Sequence, residues 1–179
     1  MTDLHTELPH LDVVLERHAG DLGDDWRPYR NHAYRVANAC AALIQTSRAD
    51  DLDKVALAAA FHDLGIWTDH TFDYLAPSME LAKNYLQTTD REPWTEEIVG
   101  MVRHHHQIPS VDGARLVEAF RKADWVDVSL GVVTCGLPRS FLRSLFEAFP
   151  DAGFHKRLVQ LAAKRAVTHP WSPLPMLRW

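Results

Sequence analysis

An alanine-rich apolar run, Val55 to Phe61, leads directly into the adjacent pair His62-Asp63, and Leu64-Gly65 follows as a helix-ending signal. This stretch constrains the chain more than any other. An imidazole and a carboxylate side by side at the end of a buried helix would cost several kcal/mol if left unpaired. A divalent metal ion offsets that cost, because it takes such ligands. The remaining ligands must come from elsewhere in the chain.

The 179 residues suit one domain with a sizeable core. A net charge of −5 gives no general electrostatic attraction to nucleic acid or to an anionic membrane, so an anionic substrate needs a local basic patch. The N-terminal MTDLHTELPHLD has acidic residues and no apolar segment of the signal-peptide kind. No apolar run is long enough to span a bilayer. Cys40 and Cys135 lie in unrelated contexts, which fits a reducing cytoplasm without a disulfide framework. The eleven histidines are informative through their placement.

Apolar spacing predicts helices over most of the chain and an all-α fold of seven or eight helices. A first short helix covers 8–18, and glycine with turn-forming aspartates breaks it at 19–25. A second covers about 29–46, where His32 shares a face with Val36, Cys40, Leu43 and Ile44. In the third, capped by Asp50 or Asp51, Val55, Ala58, Ala59 and His62 fall at i, i+3, i+4 and i+7. Residues 64–76 read as an ordered loop carrying aromatics with Asp69, His70 and Asp73. A fourth helix begins at Pro77 and ends near Gln87. In the fifth, from Thr95, His105 joins Ile98, Met101 and Val102 on one face, His104 sits at its shoulder and His106 points elsewhere. A sixth, 111–128, places Asp124 on an apolar face, where carboxylates almost never sit unpaired. Two further helices, 137–148 and 154–168, precede a tail rich in proline and tryptophan, expected to lie extended across the helices or to meet a partner. Leu130 to Val133 is the one β-like fragment.

Four groups thus stand on inward faces of different helices: His32, His62 with Asp63, His104 or His105, and Asp124. Taken singly, an inward histidine is most often a satisfied core residue and an aspartate near a helix end is usually a cap. Taken together, separate partners would be needed for each buried ionisable group, whereas one metal site accounts for all of them.

The order His…His-Asp…Asp on successive helices resembles the HD superfamily of metal-dependent phosphohydrolases. The resemblance rests on His32 in RNHAYRV, on His62-Asp63 in FHDLG and on Asp124 in RKADW, and it covers about residues 28–130. His104-His105 match the paired histidines that many members carry between the doublet and the last aspartate. It implies a single HD-type helical domain over 1–179, with the motif-bearing core at 28–130 and C-terminal helices and tail at 137–179. It implies His32, His62, Asp63 and Asp124 as metal ligands, with His104 and His105 as secondary ligands or substrate contacts. The cofactor expected is one divalent ion among Mn, Fe, Zn, Ni and Co, with a second allowed. Dinuclear members carry a further histidine well after the doublet. Between the doublet and His104 the chain holds only His70, which comes too early, and that favours one metal over a dioxygen-activating di-iron centre.

The expected reaction is hydrolysis of a phosphate ester or nucleotide by activated water. Asp63 would ligate and orient, Asp69 or His70 would protonate the leaving oxygen, and Arg35 and Lys122 would hold phosphate, with Arg103 a weaker candidate. A second reading follows from Asn31-His32-x-x-Arg35, which resembles the same segment of cyanamide hydratase-like HD proteins. There water adds to a small nitrile-like substrate, and the aromatics Trp67, Phe72 and Tyr74 suit a neutral ligand. A third is a binding module that keeps its metal only for stability. The partners expected are a small-molecule substrate and, as an open alternative to a monomer, a second copy in a homodimer, with no nucleic acid polymer and no membrane.

Overall fold

In the computed structural model the described residues are 4–44, 48–172 and 175–176. They form ten α-helical segments: α1 (Pro9–Arg17), α2 (Ala19–Leu22), α3 (Trp26–Ile44), α4 (Ala49–Phe61), α5 (Gly65–Thr68), α6 (Leu75–Thr88), α7 (Thr95–His104), α8 (Arg115–Val128), α9 (Arg139–Ala148) and α10 (Phe154–Thr168). Eight of these have nine residues or more, and there is no β-sheet among the described residues, so the chain is all-α. No helix there is long and apolar enough to cross a membrane.

The centre of the molecule is α3. From Asn31 to Ala41 every residue is buried, so this helix is enclosed on all sides and not on one stripe alone. It packs against α8 on one side and α4 on another, with α1 over both α3 and α4. Alanines at 33, 37, 39, 56, 58, 59 and 60, all buried, keep the side-chain layer between these helices thin. Helix α7 completes the set by packing against α4, α6 and α8. The functional groups of the motif therefore sit where α3, α4, α7 and α8 converge.

The linking segments depart from the sequence expectations for physical reasons. Helix α6 starts at Leu75, two residues ahead of Pro77, which leaves the proline in the first turn where its missing N–H costs nothing. Helix α8 starts at Arg115 and not at Val111, because Gly113 adopts φ +78° and Val111 donates its N–H to the Glu118 carboxylate. Leu130 and Gly131 are both left-handed and close the end of α8 as a turn, so the β-like fragment forms no strand. Segment 19–25, expected as a break, contains α2 and a 3-10 turn over Gly23–Asp25. The third helix begins after Arg48, which occupies the N-cap position, so Asp50 and Asp51 lie within its first turn. Residues 45–46, expected to end the second helix, lie outside the described residues.

Gly65 opens α5 where α4 gives way to α6. A Cβ there would lie 2.7 Å from the Tyr74 carbonyl oxygen and 2.9 Å from Pro77 Cβ. The backbone N–H of Gly65 donates to Ser78 Oγ at 3.0 Å, which ties the His62-Asp63 corner to α6. Cys40 and Cys135 are free. In the tail Trp171 is exposed, whereas Met176 is buried against the core.

Candidate metal centre

Six buried or nearly buried side chains meet at the convergence: His32 from α3, His62 and Asp63 from the end of α4, His105 and His106 just past α7, and Asp124 from α8. They form three overlapping groups of potential ligands, His32 with His62 and Asp124, His62 with Asp63 and His105, and His105 with His106 and Asp124. In each group the ligand atoms lie within 4.8 Å of one another.

The periodicity of α3, α4 and α8 brings His32, His62 and Asp124 inward. His32 Nε2 lies 2.8 Å from His62 Nε2 and 3.5 Å from Asp63 Oδ2. His62 Nε2 lies 3.5 Å from Asp63 Oδ2 and 3.8 Å from Asp124 Oδ1. Ligands held about 2.0–2.2 Å from one ion sit about 3–3.5 Å apart. The observed separations bracket that spacing.

The orientation of the rings is set from behind. His62 Nδ1 faces the Ala59 carbonyl at 2.8 Å, and His105 Nδ1 faces the Val102 carbonyl at 2.7 Å. Each Nδ1 therefore carries the proton and donates it to the carbonyl, which leaves the Nε2 lone pair directed into the centre. His32 is held by a carboxylate instead: its Nδ1 donates to Asp127 Oδ2 at 2.6 Å. Phe154 stacks on the other side of the His32 ring, at 4.0 Å and 14°.

Asp127 is the functional residue the sequence analysis passed over. It lies one turn after Asp124 on α8, so the Asp-x-x-Asp spacing on one helix face was the available signal. Its carboxylate also pairs with Arg35 Nε and, at 3.0 Å, with Nη2. Arg35 Nη1 donates to the Phe149 carbonyl at 2.9 Å. Arg35 is fully buried. It stands behind His32 as a support and not in front as a phosphate clamp.

The remaining candidates divide clearly. Asp63 and His105 join the cluster. His104 does not: its Nδ1 meets Gln107 Oε1 at 2.6 Å, and it lines a separate cavity beside α7. The pair in the centre is His105-His106, because α7 ends at His104 and a helical projection fails beyond it. His106, expected to point elsewhere, lies 3.2 Å from Asp124 Oδ2 through Nδ1 and 2.7 Å from the Tyr74 hydroxyl through Nε2. Lys122 pairs with Glu118 at 3.3 Å on the outer side of α8. Asp69 and His70 are exposed, with Asp69 accepting from Thr68 Oγ1 at 2.8 Å.

Electrostatics follow from enclosure. Burial lowers the pKa of His62 to about 4, so it is neutral and available as a ligand. Burial works against a charged His32 too, but the Asp127 carboxylate outweighs it and raises the pKa to about 9. Burial would raise Asp63 and Asp124. The surrounding histidines, His62 and His105 at Asp63 and His106 at Asp124, hold both below the usual carboxylate range. Burial pushes the Tyr29 and Tyr74 hydroxyls well up, and Asp63 adds to it in both cases.

The residues fit a metal ion. Asp63 Oδ1, His105 Nε2 and both Asp124 carboxylate oxygens are buried and make no well-aligned hydrogen bond among the described residues; the nearest contacts are His105 Nε2 to Asp63 Oδ1 and His106 Nδ1 to Asp124 Oδ2, each at 3.2 Å. Four such atoms at one place are rare in a native core. Mixed imidazole and carboxylate donors suit a divalent transition metal. No protein-family model, curated protein or solved structure matches the chain.

Proposed function

We propose that this chain is a metal-dependent hydrolase of the HD type, acting on a phosphate ester or nucleotide. The observation that carries the reading is the convergence of buried Asp63, His105 and Asp124 atoms, none in a well-aligned hydrogen bond, on the His32–His62 pair. The ordered motifs that resemble HD phosphohydrolases supply the substrate class. His32, His62, Asp63 and Asp124 would hold the ion, with His105 and His106 beside it. A divalent ion there supplies Lewis acidity and makes water nucleophilic near neutral pH.

The chain's own residues have separable tasks. Asp127 and the carbonyls of Ala59 and Val102 fix the three imidazole rings. Asp63 presents Oδ1 to His105 Nε2 at 3.2 Å and Oδ2 to His32 and His62 at 3.5 Å, which places its carboxylate to orient a water at the centre. His106 is the most exposed member of the cluster, with 15% of its side chain accessible, and it is bonded to Tyr74. That pair is placed to hold or pass a proton between the centre and solvent. The rings of Tyr29, Phe120 and Phe154 pack on the histidines and exclude bulk water.

One observation favours a second reading, hydration of a small nitrile-like substrate. Among the described residues, the two cations expected to meet a phosphate are both engaged elsewhere, Arg35 by Asp127 and Lys122 by Glu118. Metal analysis of the purified protein, followed by turnover assays on phosphoesters and on small nitriles with the matching ion, separates the two. Phosphate release abolished by His62→Ala supports the first, and hydration abolished by it supports the second. Metal binding with no turnover of either class would leave the metal a structural role. Absence of metal at His62-Asp63 under metal-replete conditions would overturn the reading.

A further inference from the structure

A cavity of about 530 Å³ lies between the 66–72 segment and α10, and none of the six candidate metal ligands lines it. Its volume falls in the range that takes a small organic ligand. One wall is a half-exposed face of α10 that carries Arg157, Lys164 and Arg165 around Leu161. The facing wall is Trp67 and Phe72. No aspartate or glutamate lines the cavity, although the chain as a whole carries a net charge of −5.

Three permanent cations in one cavity repel one another unless an anion joins them. The protein supplies little to offset this. Arg157 Nε pairs with Asp25 at 2.9 Å, and Arg165 Nε donates to the Ser172 carbonyl at 3.2 Å. Among the described residues no hydrogen bond engages the Nη atoms of either guanidinium or the Lys164 ammonium. Arg165 is thus held through a hydrogen bond at Nε and Arg157 through an ion pair with Asp25, while Nη donors of both make no hydrogen bond, an arrangement suited to a phosphate or carboxylate. At the rim His70 adopts φ +51°, a left-handed conformation that non-glycine residues hold mainly at turns and ligand clamps.

The opposite wall asks for something different. Trp67 is anchored through Nε1 to Asp25 at 2.9 Å and tilts against Tyr29 with ring centroids 4.8 Å apart. The fixed indole, 5% exposed, and the half-buried Phe72 line the cavity opposite the cations, and a ligand with one anionic end and one planar end satisfies both walls.

We infer that the cavity between α10 and the 66–72 segment is a binding site for a phosphorylated aromatic molecule of mononucleotide size, separate from the metal centre. The phosphate meets Arg157, Lys164 and Arg165, and the ring lies against Trp67 and Phe72. The inference does not rest on the hydrolase reading, since none of the metal-centre side chains lines this cavity.

The test titrates the purified chain with the 5′-phosphonate analogue of AMP, which resists phosphatase cleavage, followed by calorimetry and tryptophan fluorescence. Saturable binding is expected, weakened about tenfold by Lys164→Glu and restored by Lys164→Arg. Lys164 is exposed, so an unchanged melting curve for Lys164→Glu verifies that folding is intact. Inorganic phosphate and adenosine alone are each expected to bind at least about tenfold more weakly. Binding indifferent to Lys164→Glu would place the ligand elsewhere, the metal centre included, and overturn the inference. So would inorganic phosphate binding as tightly as the analogue, or no saturation at millimolar concentration.

Discussion

His32 Nδ1 lies 2.6 Å from Asp127 Oδ2, and the same carboxylate holds Arg35. One aspartate thus orients a candidate ligand and neutralises a fully buried guanidinium. Such supporting carboxylates fix ring orientation and raise ligand basicity.

Asp127→Asn keeps the shape and removes the charge. Metal affinity is expected to fall about ten- to a hundredfold, measured by calorimetric titration of the ion. Arg35 is then a buried charge with no anionic partner, and the folded state should lose about 3–5 kcal/mol in urea denaturation. Unchanged affinity would remove Asp127 from any supporting role.

Chelation is expected to lower stability as well as turnover. An ion that binds the folded state alone at a hundred times its Kd stabilises it by about 2.7 kcal/mol. For a chain of this size that corresponds to a Tm difference of about 5–10 °C between metal-loaded and chelated protein. His62→Ala should abolish the difference, and calorimetric scans of both proteins check it.

Tyr74→Phe deletes the hydroxyl that meets His106 Nε2 at 2.7 Å while keeping the ring in place. The expected result is a kcat about a hundredfold lower, with metal stoichiometry unchanged. The stability change should stay near 1 kcal/mol. A loss of metal instead would show that the bond positions His106 as a ligand.

Glu118 supplies an acid-sensitive tie. Arg121 holds its carboxyl at about 2, with the Val111 N–H assisting. A carboxyl depressed in the folded state stabilises it above the ordinary value near 4.5, and that contribution disappears as pH falls through about 2. Urea midpoints across this window should therefore fall less steeply for Glu118→Gln than for the parent chain. A parallel pair of curves would show that the tie adds no stability.

Much of the centre was legible because helical periodicity carries across a whole helix. His32, His62 and Asp124 each share a face with apolar neighbours, and each faces inward. Legibility stopped at helix ends and at contacts between remote segments. His106 follows the last turn of α7, where spacing no longer fixes direction. Arg35 finds its partner 92 residues away, which no local pattern reveals. Gly65 read as a helix terminator, whereas its lack of a side chain is needed because the Tyr74 carbonyl lies where a Cβ would go. Asp127 was open to inference from its spacing to Asp124.

All six candidate ligands lie between positions 32 and 124, whereas Phe154, which covers the His32 ring, and His155, which meets the Asp127 carbonyl at 3.0 Å, belong to α10. During synthesis the ligand-bearing helices leave the ribosome before the helix that closes over them. The cover of the cluster is thus encoded after every candidate ligand, so a chain ending before α10 would carry all six groups without the ring that shields His32.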